Sequence, residues 1–206
     1  MATERDLEDA NRYASIMREI KQRADSINRI TGSGLAVPAP FLQEYGHLQL
    51  RMICELIGIA CLVAHGDIAA EAPALNPKTY KPGEILKALE ALHPSFFPTA
   101  RTMNFKNNEV ELLDGSPNAI TKAELIALWG RSGDFLHRGG LKQLASPKVT
   151  GPVDFQALND PGQKILDLLS VHLISRIGGN FHFLVALSAV QVDGDVLVSI
   201  AEGPGV

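Results

Sequence analysis

Phe41-Leu-Gln-Glu-Tyr-Gly-His-Leu-Gln-Leu-Arg-Met-Ile-Cys-Glu-Leu-Ile-Gly-Ile-Ala-Cys-Leu-Val-Ala-His65 is the stretch whose reading decides the fold. Val37-Pro38-Ala39-Pro40 is a stiff lead-in, and a proline near the first turn suits the start of a helix. From Met52 to Ala64 the run is apolar almost all round, interrupted only by Glu55, which predicts a central, buried helix over 41–65. Its apolar run falls short of the ~20 residues a bilayer span needs. His65-Gly66 ends it, with glycine in the usual place after the last turn. Cys54 and Cys61 share one face of this helix at a rise of ~10 Å. A disulfide needs Cα atoms within roughly 7 Å, so both read as free, buried thiols of a reducing compartment. His47, Arg51 and Glu55 recur every fourth residue on one face, either as an internal ion pair beside a surface histidine or as a polar stripe reaching into a site.

Outward from that helix, residues 4–30 read as a first helix. Leu7, Ala10, Ala14, Met17, Ile20, Ala24, Ile27 and Thr31 form one narrow apolar stripe, and Thr3 with Asp6 resembles a capping box. A narrow seam opposite a charged face suits packing on a single partner, in this core or in another subunit. In the other direction, three prolines make 67–82 a loop, and 83–92 is a short helix stopped by His93-Pro94. Phe96-Phe97-Pro98 reads as a hydrophobic anchor. Thr102–Phe105 and Glu109–Leu113 read as two short strands around Lys106-Asn107-Asn108.

Thr121-Lys-Ala-Glu124 is a capping box, so a helix starts there and carries Leu125, Leu128, Trp129 and Ser132 along one face to Gly139-Gly140. After a loop over 141–154, Pro161 or Gly162 opens a helix through Ile177, with Ile165, Leu168, Leu169, His172, Leu173 and Arg176 on its stripe. The tail changes period. Phe181–Val192 and Val196–Ala201 are β-rich and joined through Asp193-Gly194, a hairpin turn signal. A hairpin is marginal alone, so it packs on the helices or pairs with the 102–113 segment. The resulting expectation is one mainly α domain over 1–206: a helical core over 4–177 bundled around the buried 41–65 helix, with a small C-terminal antiparallel β-hairpin over 181–201.

Hydrophobic residues make up 46% and charged residues 20% of the 206 residues, which suits a globular chain with a real core. The formal net charge of −4 argues against a broad basic surface for nonspecific nucleic-acid binding and leaves room for a local basic site. The N-terminus is charged from its fourth residue and lacks the apolar core of a secretion signal, which points to the cytoplasm and away from the membrane. A phosphate-binding P-loop, a Gly-x-Gly-x-x-Gly fingerprint, a Cys-x-x-Cys pair, a His-Glu-x-x-His motif and a serine-nucleophile elbow are all missing from the chain. The histidines are scattered, so no metal and no cofactor are expected.

The chemistry concentrates in Leu125–Lys142, LIALWGRSGDFLHRGGLK, which holds the only tryptophan and four glycines. Arg131 and His137 offer what metal-free RNA cleavage needs. A histidine near neutral pKa moves a proton at the ribose 2′-oxygen or the leaving oxygen, and an arginine holds the phosphate. Arg138 adds a second phosphate contact. The structural alternative pairs Arg131 with Asp134 one turn on and leaves His137 as a cation at the negative end of the helix.

Arg131-Ser-Gly-Asp-Phe-Leu-His137 resembles the Arg-x(4–6)-His motif of the HEPN superfamily, the higher eukaryotes and prokaryotes nucleotide-binding domains. The resemblance covers this motif and the pattern of long helices over 4–177. It implies a helical bundle, often a homodimer, that acts as a metal-independent endoribonuclease of a toxin–antitoxin or phage-defence system. Arg131 and His137 are then the catalytic pair, with RNA as substrate and an antitoxin as a protein partner. Ser132 takes the place where the family has a polar residue, and Arg138, Arg51 and His47 complete the expected substrate contacts. Two alternatives stay open. One is a noncatalytic interaction protein that assembles through its first helix and β tail; the other is a small-molecule pocket lined by His47, Arg51 and Glu55.

Overall fold

The computed structural model describes residues 2–32, 37–66, 80–106, 109–137, 154–176 and 181–203. The loops expected over 67–82 and 141–154, the turn at 107–108, Arg138 and the glycine pairs after it and after Ile177 lie largely or wholly outside the described residues.

Helix α1 (Glu4–Gly32) is capped as expected: Thr3 N donates to Asp6 Oδ2 at 2.7 Å and Asp6 N donates to Thr3 Oγ1 at 3.2 Å. Its buried stripe runs through Ala10, Ala14, Met17, Ile20, Ala24 and Ile27. Leu7 is exposed instead, and Tyr13 is fully buried. Helix α2 (Ala39–Ala64) is the central helix, with α1, α3 (Pro82–Leu92), α4 (Lys122–Leu136) and α5 (Gln156–Leu169) packed around it. By length and composition α2 is also apolar enough to cross a membrane, yet half of its most apolar window is buried against these neighbours. Cys54 and Cys61 are free and buried, and burial pushes the Cys54 thiol up to about 12 and the Cys61 thiol further still.

The rest of the architecture corrects the expectation of a mainly α bundle. Five strands form one antiparallel sheet: β1 (Thr99–Lys106), β2 (Glu109–Asp114), β3 (Val171–Ser175), β4 (Phe181–Ala189) and β5 (Asp195–Glu202), in the order β2-β1-β3-β4-β5. The fold is mixed α/β. The decisive segment is Val171–Ser175, expected from the sequence to lie inside a helix running to Ile177. Helix α5 stops at Leu169, and the next five residues become the middle strand of the sheet. A short apolar run such as Val-His-Leu-Ile satisfies a helical stripe and a buried strand equally well, so periodicity cannot separate them. The pairing partners do. Thr99 and Ala100 lie opposite Leu173 and His172 on one side, and Phe183 to Ala186 lie opposite Ile174 to Val171 on the other. Helix α5 also begins at Gln156, ahead of the expected Pro161, which sits inside it.

The C-terminal hairpin is therefore no appendage. His172 and Ile174 of β3, Phe183 and Val185 of β4, and Val196 and Val198 of β5 point to one face and meet the helices. Phe183 and Val185 are fully buried there. One hydrophobic cluster draws on all five described helices and on this face of the sheet, and Phe96 anchors the α3–β1 connection in it, as expected. The β4–β5 connection adds a 3-10 turn (Val190–Val192) before Asp193 and Gly194, which take positive φ angles of 53° and 81°. The Asp-Gly signal is thus the turn itself, as its freedom to adopt left-handed backbone requires.

Candidate functional site

Helix α4 begins at a complete capping box. Thr121 Oγ1 accepts from Glu124 N at 3.2 Å and Thr121 N donates to Glu124 Oε2 at 2.9 Å. Lys164 of α5 donates to the other Glu124 oxygen at 2.6 Å, and this bond, with those from Thr121, brings the carboxyl down to about 2. The start of α4 is so fixed against α5. Leu125 and Leu128 then bury its inner face against the core, and Ser132 and Gly133 continue that face.

The polar stripe of α2 meets this face. His47 Nδ1 lies 3.4 Å from Ser132 Oγ, and the His47 ring stacks on Phe135 at 4.0 Å between centroids. One turn further along α2, the Arg51 guanidinium lies 4.2 Å from the centre of the Trp129 ring, and its Nε is 3.3 Å from Glu55 Oε1. That carboxylate oxygen also accepts from Trp129 Nε1 at 2.8 Å. Gly133 is what lets Arg51 cross α4: a Cβ at this position would collide with Arg51 Nη1. His47, Arg51, Glu55, Trp129, Ser132 and Phe135 thus form one continuous seam. Burial, and second the positive charge of Arg131, lower the pKa of His47, which favours its neutral form.

The expected substrate contacts His47, Arg51 and Ser132 are brought together, each engaged by a neighbour. Arg131 and His137 are placed differently. Both are exposed, Arg131 on the last turns of α4 and His137 at its C-cap, where the backbone N–H donates to Gly133 O at 3.0 Å. Among the described residues neither side chain has a hydrogen bond or ion pair, with each other or with Asp134, so the Arg131–Asp134 alternative does not form. Arg138 lies outside the described residues. No group of three or more His, Cys, Asp or Glu side chains among the described residues is arranged to hold a metal ion.

Sequence reasoning missed the partners that organise the seam. The Trp129–Glu55 bond and the Phe135 stack join residues far apart in the chain, and nothing local announces them. Gly133, four residues after the only tryptophan, was the one available signal of a close approach. A second polar group was missed altogether. Arg176, just after β3, donates to Asp9 Oδ2 at 2.9 Å and also to Asp6, with its guanidinium 5.3 Å from the Phe183 ring. It ties the end of the middle strand to the first turns of α1.

Comparison with known proteins gives no match: neither a family model, nor a curated protein, nor a solved structure is significantly similar to this chain.

Proposed function

We propose that the exposed end of α4 binds an RNA phosphodiester and cleaves it without metal, with Arg131 on the phosphate and His137 as the acid/base group. The observation that carries this reading is a contrast in engagement. The other polar side chains of the α2–α4 seam, His47, Arg51, Glu55, Trp129 and Ser132, already have partners inside the protein. Arg131 and His137 have no such partner among the described residues and face solvent. An unpaired guanidinium and an exposed imidazole at the same end of one helix suit an anionic ligand that undergoes proton transfer. The seam beneath supplies rigidity, because Arg51 and Trp129 lock α4 against α2.

In this reading His137 takes the 2′-hydroxyl proton as that oxygen attacks phosphorus, the P–O5′ bond breaks, and the resulting imidazolium gives the proton to the departing 5′-oxygen. The products are a 2′,3′-cyclic phosphate and a 5′-hydroxyl. Arg131 neutralises the charge that builds on the non-bridging oxygens. The same reading places the protein in the cytoplasm, where such RNA is found.

The test is incubation of the purified chain with a mixed RNA pool in EDTA, beside His137→Ala and Arg131→Ala. Loss of the acid/base group is expected to slow cleavage by ~10²–10⁴-fold. A wild-type chain that leaves the pool intact, or a His137→Ala chain that cleaves as fast as wild type, overturns the proposal.

A further inference from the structure

The described helices cover one face of the sheet; the opposite face carries an apolar strip in which Leu173 and Ala186 are buried while Val110 and Leu112 are exposed. Strand alternation puts Met103, Val110, Val171, Leu184, Ala186 and Leu197 on that face, where they line a groove of about 450 Å³. The register shift between Ala186 and Ala189 sits beside it, and bulges of this kind bend a strand and deepen its twist. At the rim stands Val190, at the start of the 3-10 turn and 92% exposed. An apolar side chain so exposed beside an apolar groove is costly to leave in water.

We propose that this face is the interface of a homodimer, in which two copies pack sheet to sheet about a two-fold axis. Three observations favour a second copy of this chain as the occupant. The first is self-complementarity. A knob, Val190, and a hole, the groove it borders, lie on the same surface, so a two-fold rotation places each copy's knob in the other's hole, as an isologous contact demands.

The second is charge. Each chain carries a formal −4, which opposes self-association, but the pair on this face, Arg101 and Asp114, is bonded within the chain at 2.9 Å and sums to zero. Two copies meet here without bringing like charges together.

The third is area. Five strands ~4.8 Å apart and some six residues long at ~3.4 Å per residue present a footprint of roughly 400–500 Å². Two such faces together remove about 1,000 Å² from water, the lower bound for a specific interface. Aligned sheets pack ~10 Å apart with interdigitated side chains, so the groove is filled by the partner's residues.

The experiment is sedimentation velocity on the full chain, with Val190→Glu and Leu112→Glu made singly and together. Leu112 is 37% exposed on the same face, so neither change disturbs the buried core. Circular dichroism checks that all three variants fold. The wild type is expected to be dimeric at ~10 μM, and the double variant monomeric, with a dissociation constant raised at least ~100-fold. A wild type that is monomeric up to ~100 μM overturns the proposal. So does a folded double variant that dimerises as tightly as wild type, which would place the contact elsewhere, for instance on α1. RNA cleavage is not the readout, so the outcome is separate from that of the nuclease reading.

Discussion

The phenolic hydroxyl of Tyr13 on α1 donates to Nε2 of His172 on the middle strand across 2.8 Å, in the interior of the protein. The direction is set by the other ring nitrogen, since His172 Nδ1 lies 3.0 Å from the Leu169 carbonyl oxygen, to which only an N–H can donate. Both groups are fully buried, so the first helix and the centre of the sheet are joined by a polar contact inside an apolar core.

Tyr13→Phe removes the hydroxyl and leaves Nε2 of His172 buried without a donor. The expected loss is ~1–3 kcal/mol of folding stability, the cost of one orphaned buried acceptor. Urea denaturation at neutral pH measures it. Stability equal to wild type would mean that the bond contributes nothing to the fold.

Acidification is expected to destabilise the protein well before its carboxylates titrate. Burial lowers the pKa of His172 and of His65 to about 4. For His65 burial is the largest cause; its hydrogen bond to the Phe96 carbonyl oxygen at 3.2 Å partly offsets it, and the charges of His93 and Arg176 lower the value further. Both folded pKa values lie below the unfolded value of about 6.5, so the unfolded chain takes up protons first. Their contribution is complete above pH ~6.5, falls as the pH drops, and is exhausted near pH 4, at about 3 kcal/mol for each group. Urea midpoints at several pH values across that window read the slope, and a flat profile down to pH ~4.5 would exclude it.

Gly130 and Gly133 are close on α4 and are expected to respond differently to alanine. Nothing lies within 4 Å of a Cβ at Gly130, so Gly130→Ala gains helix propensity alone, about 0.5–1 kcal/mol. At Gly133 the new methyl displaces the Arg51 guanidinium from its seat over Trp129, which offsets that gain by roughly 1 kcal/mol. Since Trp129 is the only tryptophan, its fluorescence reports the displacement directly. Gly133→Ala is expected to change the emission and Gly130→Ala to leave it alone; identical spectra would contradict the Arg51–Trp129 contact.

Arg131→Ala is expected to raise the pKa of His47, because the mutation removes the second of the two causes that lower it. The value stays below about 6.5, since burial, the larger cause, persists. Histidine NMR titration distinguishes this from an Arg131 that swings freely away from the seam, for which the His47 curve would not move.

Four of the five described helices were legible because their signals are local. Thr121 and Glu124 announce their own helix, the apolar run from Met52 to Ala64 announces a buried one, and Asp193-Gly194 announces a turn that only left-handed backbone can make. The site was legible in part. His47, Arg51 and Glu55 lie on one face by helical arithmetic alone, yet their engagement with Ser132 and Trp129 depends on how α4 crosses α2.

By itself the sequence determined where chain segments turn regular and which of their faces are apolar, because capping, turn geometry and periodicity act over a few residues. Only the tertiary structure decided that Val171–Ser175 is a strand. Those residues suit either conformation, and the choice falls to β1 and β4, distant segments whose backbone hydrogen bonds meet it from both sides. The same long-range packing left Arg131 and His137 in solvent and buried Ser132 and Gly133 between them, so the exposure of that pair belongs to the fold.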